Sequence, residues 1–569
     1  MDFELTKEQQ LIRDTVRKFA ETKIEPIAFQ LDEKNMFPEK IVNEMGELSI
    51  MGLPYPQEYG GAGKDVLSYA IAVEELSRVD AGVGVILSAH TSLGTWPIME
   101  FGTKEQKEKY LVPLASGKKI AAFGLTEPNA GSDAGKTETT AVLEGDHYVI
   151  NGSKVFITNA DYADTYVIFA VTTPGLGTKG ISAFIIEKGM DGFTFGTHYN
   201  KMGIRSSATA ELLFKNLKVP KHNLLGKENE GFKIAMQTLE GGRIGIAAQA
   251  LGIAQGAYEK ALSYSKERVQ FGKPISRQQS IAFKLADMAT KIRAARFMVY
   301  SAAVLKQEHK NYGMESAMAK LYASDICLEV VNDAVQIYGG SGFIKGFPVE
   351  RMYRDAKICT IYEGTNEIQK LIISSDILGK PKKEPIEENK ENKVNKAKPI
   401  TGNRRRVIIK EGSPKEKVDA FLNYIKSENI NISRTVISGG SIRDADKVCS
   451  IGMGLKDKKD LPLIQSLADT IGAELGCSRP VAEEREWLPL DHYVGISGQK
   501  FSGTFYLAIG ISGQVQHLKG IENAGIITAI NIDENAPIFS NADYGIVGDL
   551  YEIVPLLTEA LKKNLSSES

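Results

Sequence analysis

The chain lacks any marked excess of one charge: of its 569 residues, 69 are Lys or Arg and 71 are Asp or Glu, a formal net charge of -2 at pH 7. That balance gives no electrostatic case for nucleic acid or an anionic membrane surface as partner, and neither is assigned. Cysteine is scarce. Cys327, Cys359, Cys449 and Cys477 are too dispersed for a disulfide framework, and none forms a C-x-x-C pair of the kind that holds a metal. They read as reduced thiols of a cytoplasmic protein. No apolar run is long enough to cross a bilayer, and Met1-Asp2-Phe3-Glu4-Leu5 leads directly into a helix without a basic and apolar leader. What is present is the composition of ordinary globular domains, 43% hydrophobic and 25% charged, in a chain too long for one core.

Texture divides the chain into five parts. Residues 1–121 read as a helical domain, opened by Thr6 and Gln9 in a capping-box pattern with Ile12, Val16, Phe19 and Ala20 at helical spacing. Residues 122–230 carry short β-branched and aromatic runs, and Asn151-Gly152 between two of them predicts a hairpin turn. Residues 231–379 are helical again. Their segment Arg243 to Arg268 is rich in Gly and Ala, which predicts close helix packing. Residues 380–403, made of Pro, Lys, Glu and Asn with almost nothing apolar, read as a solvated linker. From 404 to 569 strands alternate with helices, among them Leu461 to Ile471 with Pro462 near its start and Gly472 past its end. Such alternation predicts a doubly wound parallel α/β sheet.

One carboxylate has the setting of a catalytic base. Glu363 lies between Tyr362 and Gly364 in an apolar stretch with Ile358 and Ile361, where a carboxylate is partly desolvated and its pKa raised toward a useful value. By itself a Glu before a Gly is bland. The motifs around it supply the context.

Gly124-Leu125-Thr126-Glu127-Pro128-Asn129-Ala130-Gly131-Ser132-Asp133, Lys154-Val155-Phe156-Ile157-Thr158-Asn159, Arg268-Val269-Gln270-Phe271-Gly272, Gln336-Ile337-Tyr338-Gly339-Gly340 and Ile361-Tyr362-Glu363-Gly364-Thr365 occur in this order. Together they resemble the acyl-CoA dehydrogenases, most closely the short-chain, butyryl-CoA type, over residues 1 to about 379. The resemblance implies a helical domain, a β-barrel-like middle domain and a four-helix-bundle domain. It also implies a bound FAD met by Leu125, Thr126, Ser132, Phe156 and Thr158, with Thr365 and Glu367 beside it. Arg268, Phe271, Gln336, Gly339 and Gly340 would reach the FAD of a neighbouring subunit, so a homotetramer is implied. Substrate contacts would come from Ser132, Glu240, Arg243, Tyr362 and Gly364. In isovaleryl and long-chain relatives the base is a Glu just before the Arg of Glu240-Gly241-Gly242-Arg243, whereas here that position is Gly242. The resemblance therefore assigns the base to Glu363, which would take the α-proton of a short-chain acyl-CoA while FAD accepts the β-hydride, or run the reverse reduction of a 2-enoyl-CoA.

Cys477-Ser478-Arg479, Gly495-Ile496-Ser497-Gly498, Gly510-Ile511-Ser512-Gly513-Gln514-Val515-Gln516-His517, Asn531 and Ala542-Asp543-Tyr544-Gly545 follow in an order that, over about 404 to 565, resembles the FAD domain of the electron transfer flavoprotein α subunit. This second resemblance implies a second FAD held by Ser478, Arg479, Ser497, Ser512, Gln516, His517, Asn531 and Asp543, with Arg479, Ser497 and His517 nearest the flavin. This half departs from the family's pattern at Met453, Ile496 and Gln499; the first stands where the resemblance implies a cation near the FAD phosphates. Three functions stay open: a dehydrogenase relaying electrons through its own second flavin, one whose flavin-free C-terminal domain docks a separate electron-transfer flavoprotein, and an acyl-CoA oxidase.

Overall fold

The computed structural model describes residues 4–379, 407–427, 442–495 and 498–567. The predicted linker at 380–403 lies outside them. The chain divides into two compact units, Met1–Pro385 and Ile386–Ser569, and each is taken by itself.

The first unit opens as its cap residues dictate. Thr6 Oγ1 accepts from the Gln9 N–H (3.2 Å) and Gln9 Oε1 from the Thr6 N–H (2.9 Å), which starts helix Lys7–Phe19. Its organising element is the 37-residue helix Gly231–Glu267, buried along much of its length. The small residues permit that burial. A Cβ added at Gly252 would stand 2.8 Å from Ser77 Cβ, and one at Gly256 would stand 3.0 Å from the Arg78 carbonyl carbon, closer than a methyl group tolerates. Helices Val66–Ser77, Gln279–Gln307 and Gly313–Tyr338 pack around it. Helix Ala81–Ser88 continues into a π-helical turn, Ala89–Thr95, before Trp96–Phe101. Buried His90 in that turn accepts the Ala121 N–H at Nδ1 (3.0 Å) and so fastens the helices to the β-layer. Burial pushes its imidazole down to about 4, which keeps it neutral for this role.

The β-layer comprises β1 (Ala121–Gly124), β2 (Thr140–Glu144), β3 (His147–Thr158), β4 (Thr165–Val171), β5 (Ile181–Glu187), β6 (Phe193–His198), β7 (Thr209–Pro220) and β8 (Leu224–Leu225). Their order is β6-β7-β3-β2-β4-β5-β8, with β1 paired in parallel to β4. The hairpin predicted at Asn151-Gly152 is not there. The turn is Gly145-Asp146, between Glu144 and His147, and Asn151-Gly152 lies inside β3 at a bulge against β7. Thr139 is the reason: its Cα would lie 2.7 Å from a Cβ on Gly152, whose φ is +143°, so glycine answers to a close approach rather than to a turn.

The second unit holds β9 (Val407–Ile409), β10 (Lys447–Ile451), β11 (Glu474–Cys477), β12 (Phe505–Ile509), β13 (Ile526–Asn531) and β14 (Tyr544–Val547). All pairs are parallel, in the order β9-β14-β13-β12-β10-β11. The strand order reverses between β10 and β12, the place where doubly wound sheets bind ligands. Helix Leu461–Ile471 begins and ends where Pro462 and Gly472 (φ +64°) require. No helix among the described residues is long and apolar enough to cross a membrane.

Candidate active site

Glu363 adopts φ +51°, a left-handed conformation uncommon outside glycine, and Gly364 follows at +89°. Side chains from two helices hold this turn. Gln369 Nε2 donates to the carbonyls of Glu363 (3.2 Å) and Gly364 (2.8 Å), and Lys320 Nζ donates to Gly364 O (2.9 Å) and Asn366 Oδ1 (2.8 Å). Lys320 is fully buried and was not a predicted site residue; nothing in its local sequence marks it.

The turn aims the carboxylate at the long helix. A Cβ on Gly242 would stand 2.9 Å from Glu363 Cδ, nearer still to Oε2, and 2.8 Å from Leu93 Cδ2. Gly242 is thus the space that the carboxylate occupies. Oε2 is fully covered and has no hydrogen-bond partner among the described residues. Burial pushes the carboxyl up to about 8, and the charges of Lys320, Arg243 and Lys306 oppose that rise. Arg243 is buried with its Nε unpartnered, and burial lowers its pKa while Glu240 and Glu363 oppose it.

The other predicted substrate residues divide. Glu240 is half-buried near Arg243, and Gly364 lies in the turn itself. Tyr362 gives its hydroxyl to buried Gln249, inside the bundle. Thr365 caps helix Asn366–Leu378 by accepting from the Ile368 N–H (3.4 Å), with exposed Glu367 in the first turn. Ser132 is exposed.

The two segments predicted to hold a flavin are brought together by the main chain. The Val155 N–H donates to Thr126 O (2.9 Å). Beneath them lies a buried ion pair that the sequence did not reveal as such: Lys154 Nζ donates to Glu127 Oε1 (2.6 Å) and to Leu125 O (3.3 Å). Glu127 also accepts from the N–H groups of Glu138 (2.6 Å) and Thr139 (3.2 Å). Burial lowers Lys154 to about 8 against the pull of Glu127. Leu125 is buried, and Thr126 and Thr158 are half-buried. A second bulge of β3, between Lys154 and Ile157, puts Phe156 at φ +60° and turns its ring outward, 64% exposed beside Tyr199. An uncovered aromatic wall beside hydroxyls and a braced loop fits a flat, hydrogen-bonding ring system such as flavin.

Arg268, Phe271, Gln336, Gly339 and Gly340 are all exposed, Phe271 by 92% at the tip of the hairpin Val269–Gln270/Lys273–Pro274. Stacking of Tyr264 on Tyr338 (centroids 4.1 Å apart) places the base of that hairpin beside the Gln336–Gly340 turn.

In the second unit a cleft of about 700 Å³ opens at the strand-order reversal. Gly452 to Gly454 after β10 and Gly510 to Ser512 after β12 form one edge, where a Cβ on Gly454 would stand 2.7 Å from Gly510 Cα. Ser478, Arg479, Ser512, Gln516, His517 and Asn531 line the cleft. Among the described residues, Ser478 Oγ and His517 Nδ1 are buried there without partners, which suits a polar ligand. His517 Nε2 meets Tyr506 Oη at 2.9 Å, and burial holds its imidazole down at about 4. Asn531 is spent on the main chain: its Nδ2 donates to Ile511 O (2.8 Å) and its Oδ1 accepts from the Asp533 N–H (3.0 Å). Asp543 is a correction. It precedes β14 at the end of the sheet opposite the cleft, and its Oδ2 accepts the Ile527 N–H (2.8 Å), so its position serves the sheet and not a ligand. Ser497 and Ile496 lie outside the described residues. Met453, Glu483, Glu484 and Asp533 line the wall, and Arg479 pairs with Glu483 (2.6 Å).

Residues 6–118, 122–217 and 229–378 match in turn the N-terminal, middle and C-terminal domains of acyl-CoA dehydrogenase, and residues 441–522 match the electron transfer flavoprotein FAD-binding domain. The chain is 59% identical over 377 residues to the short-chain specific acyl-CoA dehydrogenase of Clostridium acetobutylicum, covering 66% of this chain and 100% of that one. It is 49% identical over 380 residues to acryloyl-CoA reductase (NADH) of Anaerotignum propionicum, covering 66% of this chain and 96% of that one. The solved structure of butyryl-CoA dehydrogenase from Megasphaera elsdenii aligns with a TM-score of 0.66 at 52% identity, over 66% of this chain and 100% of that one.

Proposed function

We infer that this chain, which belongs to the acyl-CoA dehydrogenase family and is an FAD-dependent oxidoreductase of acyl-CoA CH–CH bonds, interconverts a short-chain acyl-CoA and its 2-enoyl thioester with Glu363 as the base. The observation that carries this is the sealed, unpartnered Glu363 Oε2 in the space left by Gly242. A carboxylate whose Oε2 meets no donor among the described residues is made basic by burial, while Lys320, Arg243 and Lys306 support its charged, proton-accepting form. Breaking the α C–H bond sends its proton to Glu363. The held turn delivers the Glu363 main-chain N–H as a donor for the thioester oxygen as charge develops there. Bound FAD supplies the acceptor for the β-hydride. The short-chain assignment is supported by the Clostridium and Megasphaera relatives, and the reverse direction by the name of the Anaerotignum relative.

The second unit extends the reading: it holds a second FAD that relays electrons to or from the first, kept at high effective concentration by its attachment. The glycine-edged cleft and the unpartnered Ser478 Oγ and His517 Nδ1 support that flavin. A flavin-free docking module for a separate electron-transfer flavoprotein is the second reading, favoured by Met453 and by three acids against one paired arginine in the same wall. The exposed Arg268, Phe271 and Gln336 support a homotetramer. Flavin counting on the purified full chain, with turnover measured across a series of acyl-CoA and enoyl-CoA thioesters, tests both halves. Two FAD per chain and a short-chain optimum are expected. One FAD per chain overturns the relay, and peroxide formed in step with turnover overturns it in favour of an oxidase.

A further inference from the structure

Gly241 and Gly242 form a double notch in the long helix, and the two notches are filled by opposite charges. Glu363 occupies the one over Gly242. Lys306, near the end of helix Gln279–Gln307, occupies the other: a Cβ on Gly241 would stand 3.4 Å from its Cε and closer to its Nζ. The ammonium rests on the faces of Trp96 (4.9 Å) and Tyr312 (5.8 Å), and no ion pair or hydrogen bond uses it among the described residues. Consecutive positions of one helix thus seat a cation without an ion pair and a carboxylate oxygen without a donor, among the described residues, close enough for each charge to act on the other.

We propose that Lys306 is a positioning residue for the dehydrogenation, its ammonium in the Gly241 notch holding Glu363 in the charged, proton-accepting state. This rests on Glu363 being the base. Lys306 exchanges no proton in the reaction; it acts through the charge of its neighbour.

Other groups surround the pair, and Lys320 and Arg243 act on the carboxylate more strongly than Lys306 does. Glu363 is faced by Lys320 from helix Gly313–Tyr338, by Arg243 from the long helix, by Tyr69 from helix Val66–Ser77 and by its own neighbour Tyr362. Lys320 is committed to Gly364 O and Asn366 Oδ1, and Arg243 lies in the field of Glu240 as well as Glu363. Lys306 is faced by Glu100 and Glu240 in addition to Glu363, yet neither forms an ion pair with it among the described residues. Its donors, like Arg243 Nε, are unspent among the described residues.

The test uses the full-length, flavin-loaded chain with Lys306→Met, which keeps the stem on Trp96 and removes the charge, with Lys306→Gln should the first not fold, and with Lys306→Arg as the conservative variant. The acidic limb of kcat/KM against pH for a short-chain acyl-CoA is expected to move up by ~1 unit in Lys306→Met and to return in Lys306→Arg. The same shift is expected in the infrared carboxyl titration of Glu363, identified by difference against Glu363→Gln, which is read without turnover. An unmoved limb and carboxyl titration, with or without a lower melting temperature, overturns the proposal and leaves Lys306 a packing brace. If Glu363→Gln retains full activity, the base assignment itself fails; an inactive Glu363→Gln beside an unshifted Lys306→Met overturns only Lys306.

Discussion

Adding one methyl group at position 242 should cost the enzyme its activity while leaving its fold nearly untouched. The new Cβ would lie 2.9 Å from the Glu363 carboxyl carbon and 2.8 Å from Leu93 Cδ2, whereas non-bonded carbons settle at ~3.5–4.0 Å. Something must retreat by at least ~0.6 Å. Glu363 is the group that can, because no hydrogen bond tethers Oε2. Stability nearly balances: Gly→Ala inside a helix gains ~1 kcal/mol of propensity, and overpacking costs ~1–3 kcal/mol, toward the low end where a flexible side chain yields. Catalysis has no such offset, since a displacement of ~1 Å of a reacting group costs ~100-fold. Gly242→Ala is therefore expected to melt within about 1 kcal/mol of the parent yet to turn over a short-chain acyl-CoA roughly 100-fold more slowly. Gly252→Ala is the control, because there the methyl meets Ser77 Cβ at 2.8 Å and the Glu74 carbonyl carbon at 3.0 Å, main chain that cannot swing aside. It should lose ~1–3 kcal/mol and keep its turnover. Steady-state kinetics and thermal unfolding of both variants decide the matter. A Gly242→Ala enzyme within a few-fold of parental kcat/KM would refute the view that Gly242 exists to seat the carboxylate.

Three further outcomes are expected. Glu363 is pushed up to about 8 by burial, so its neutral form favours the fold, a contribution complete below its unfolded value near ~4.3 and lost as pH rises through about 8; Glu363→Gln should accordingly raise the melting temperature above pH 8 and have little effect near pH 4, as scanning calorimetry across that range would show. Lys320→Met removes the donors to Gly364 O and Asn366 Oδ1 and should cost ~1–3 kcal/mol by urea unfolding, from the acceptors left bare, along with ~10-fold or more in kcat as the strained turn relaxes. Lys154→Met leaves Glu127 charged, buried and unpaired and should cost ~3–5 kcal/mol; loss of flavin on gel filtration is expected with it, and Lys154→Met/Glu127→Gln should recover part of both.

Local signals are legible in the sequence where local physics decides. Thr6 with Gln9, and Pro462 with Gly472, bound their helices as anticipated because caps and left-handed stops act within a turn of the chain. Asn151-Gly152 misled because a neighbouring segment, not a reversal of direction, demands the glycine. Strand Ala121–Gly124 was not anticipated, since four residues carry no period and are extended only by pairing with β4. Around Glu363 the apolar setting was visible in sequence. Its companions were not: Lys306 and Lys320 arrive from other helices, and a lysine inside a helical run looks like solvated surface until packing covers it. Asp543 failed for the complementary reason, its carboxylate being used to close the far end of a sheet that strand pattern alone does not place in space.

The π turn Ala89–Thr95 bears on how this pocket can change over evolutionary time. Such a turn is in effect an α-helix with one residue wound in, and both Leu93, against the Gly242 notch, and Trp96, beneath Lys306, belong to it or come directly after it. Removing a single residue there would restore the ordinary register and rotate the downstream helical residues by about 100°, carrying the aromatic face off the ammonium. The wall beside Glu363 is thus set by how many residues precede it as well as by which they are, and it is open to remodelling by insertion and deletion, a route that no scan of point substitutions along the pocket would sample.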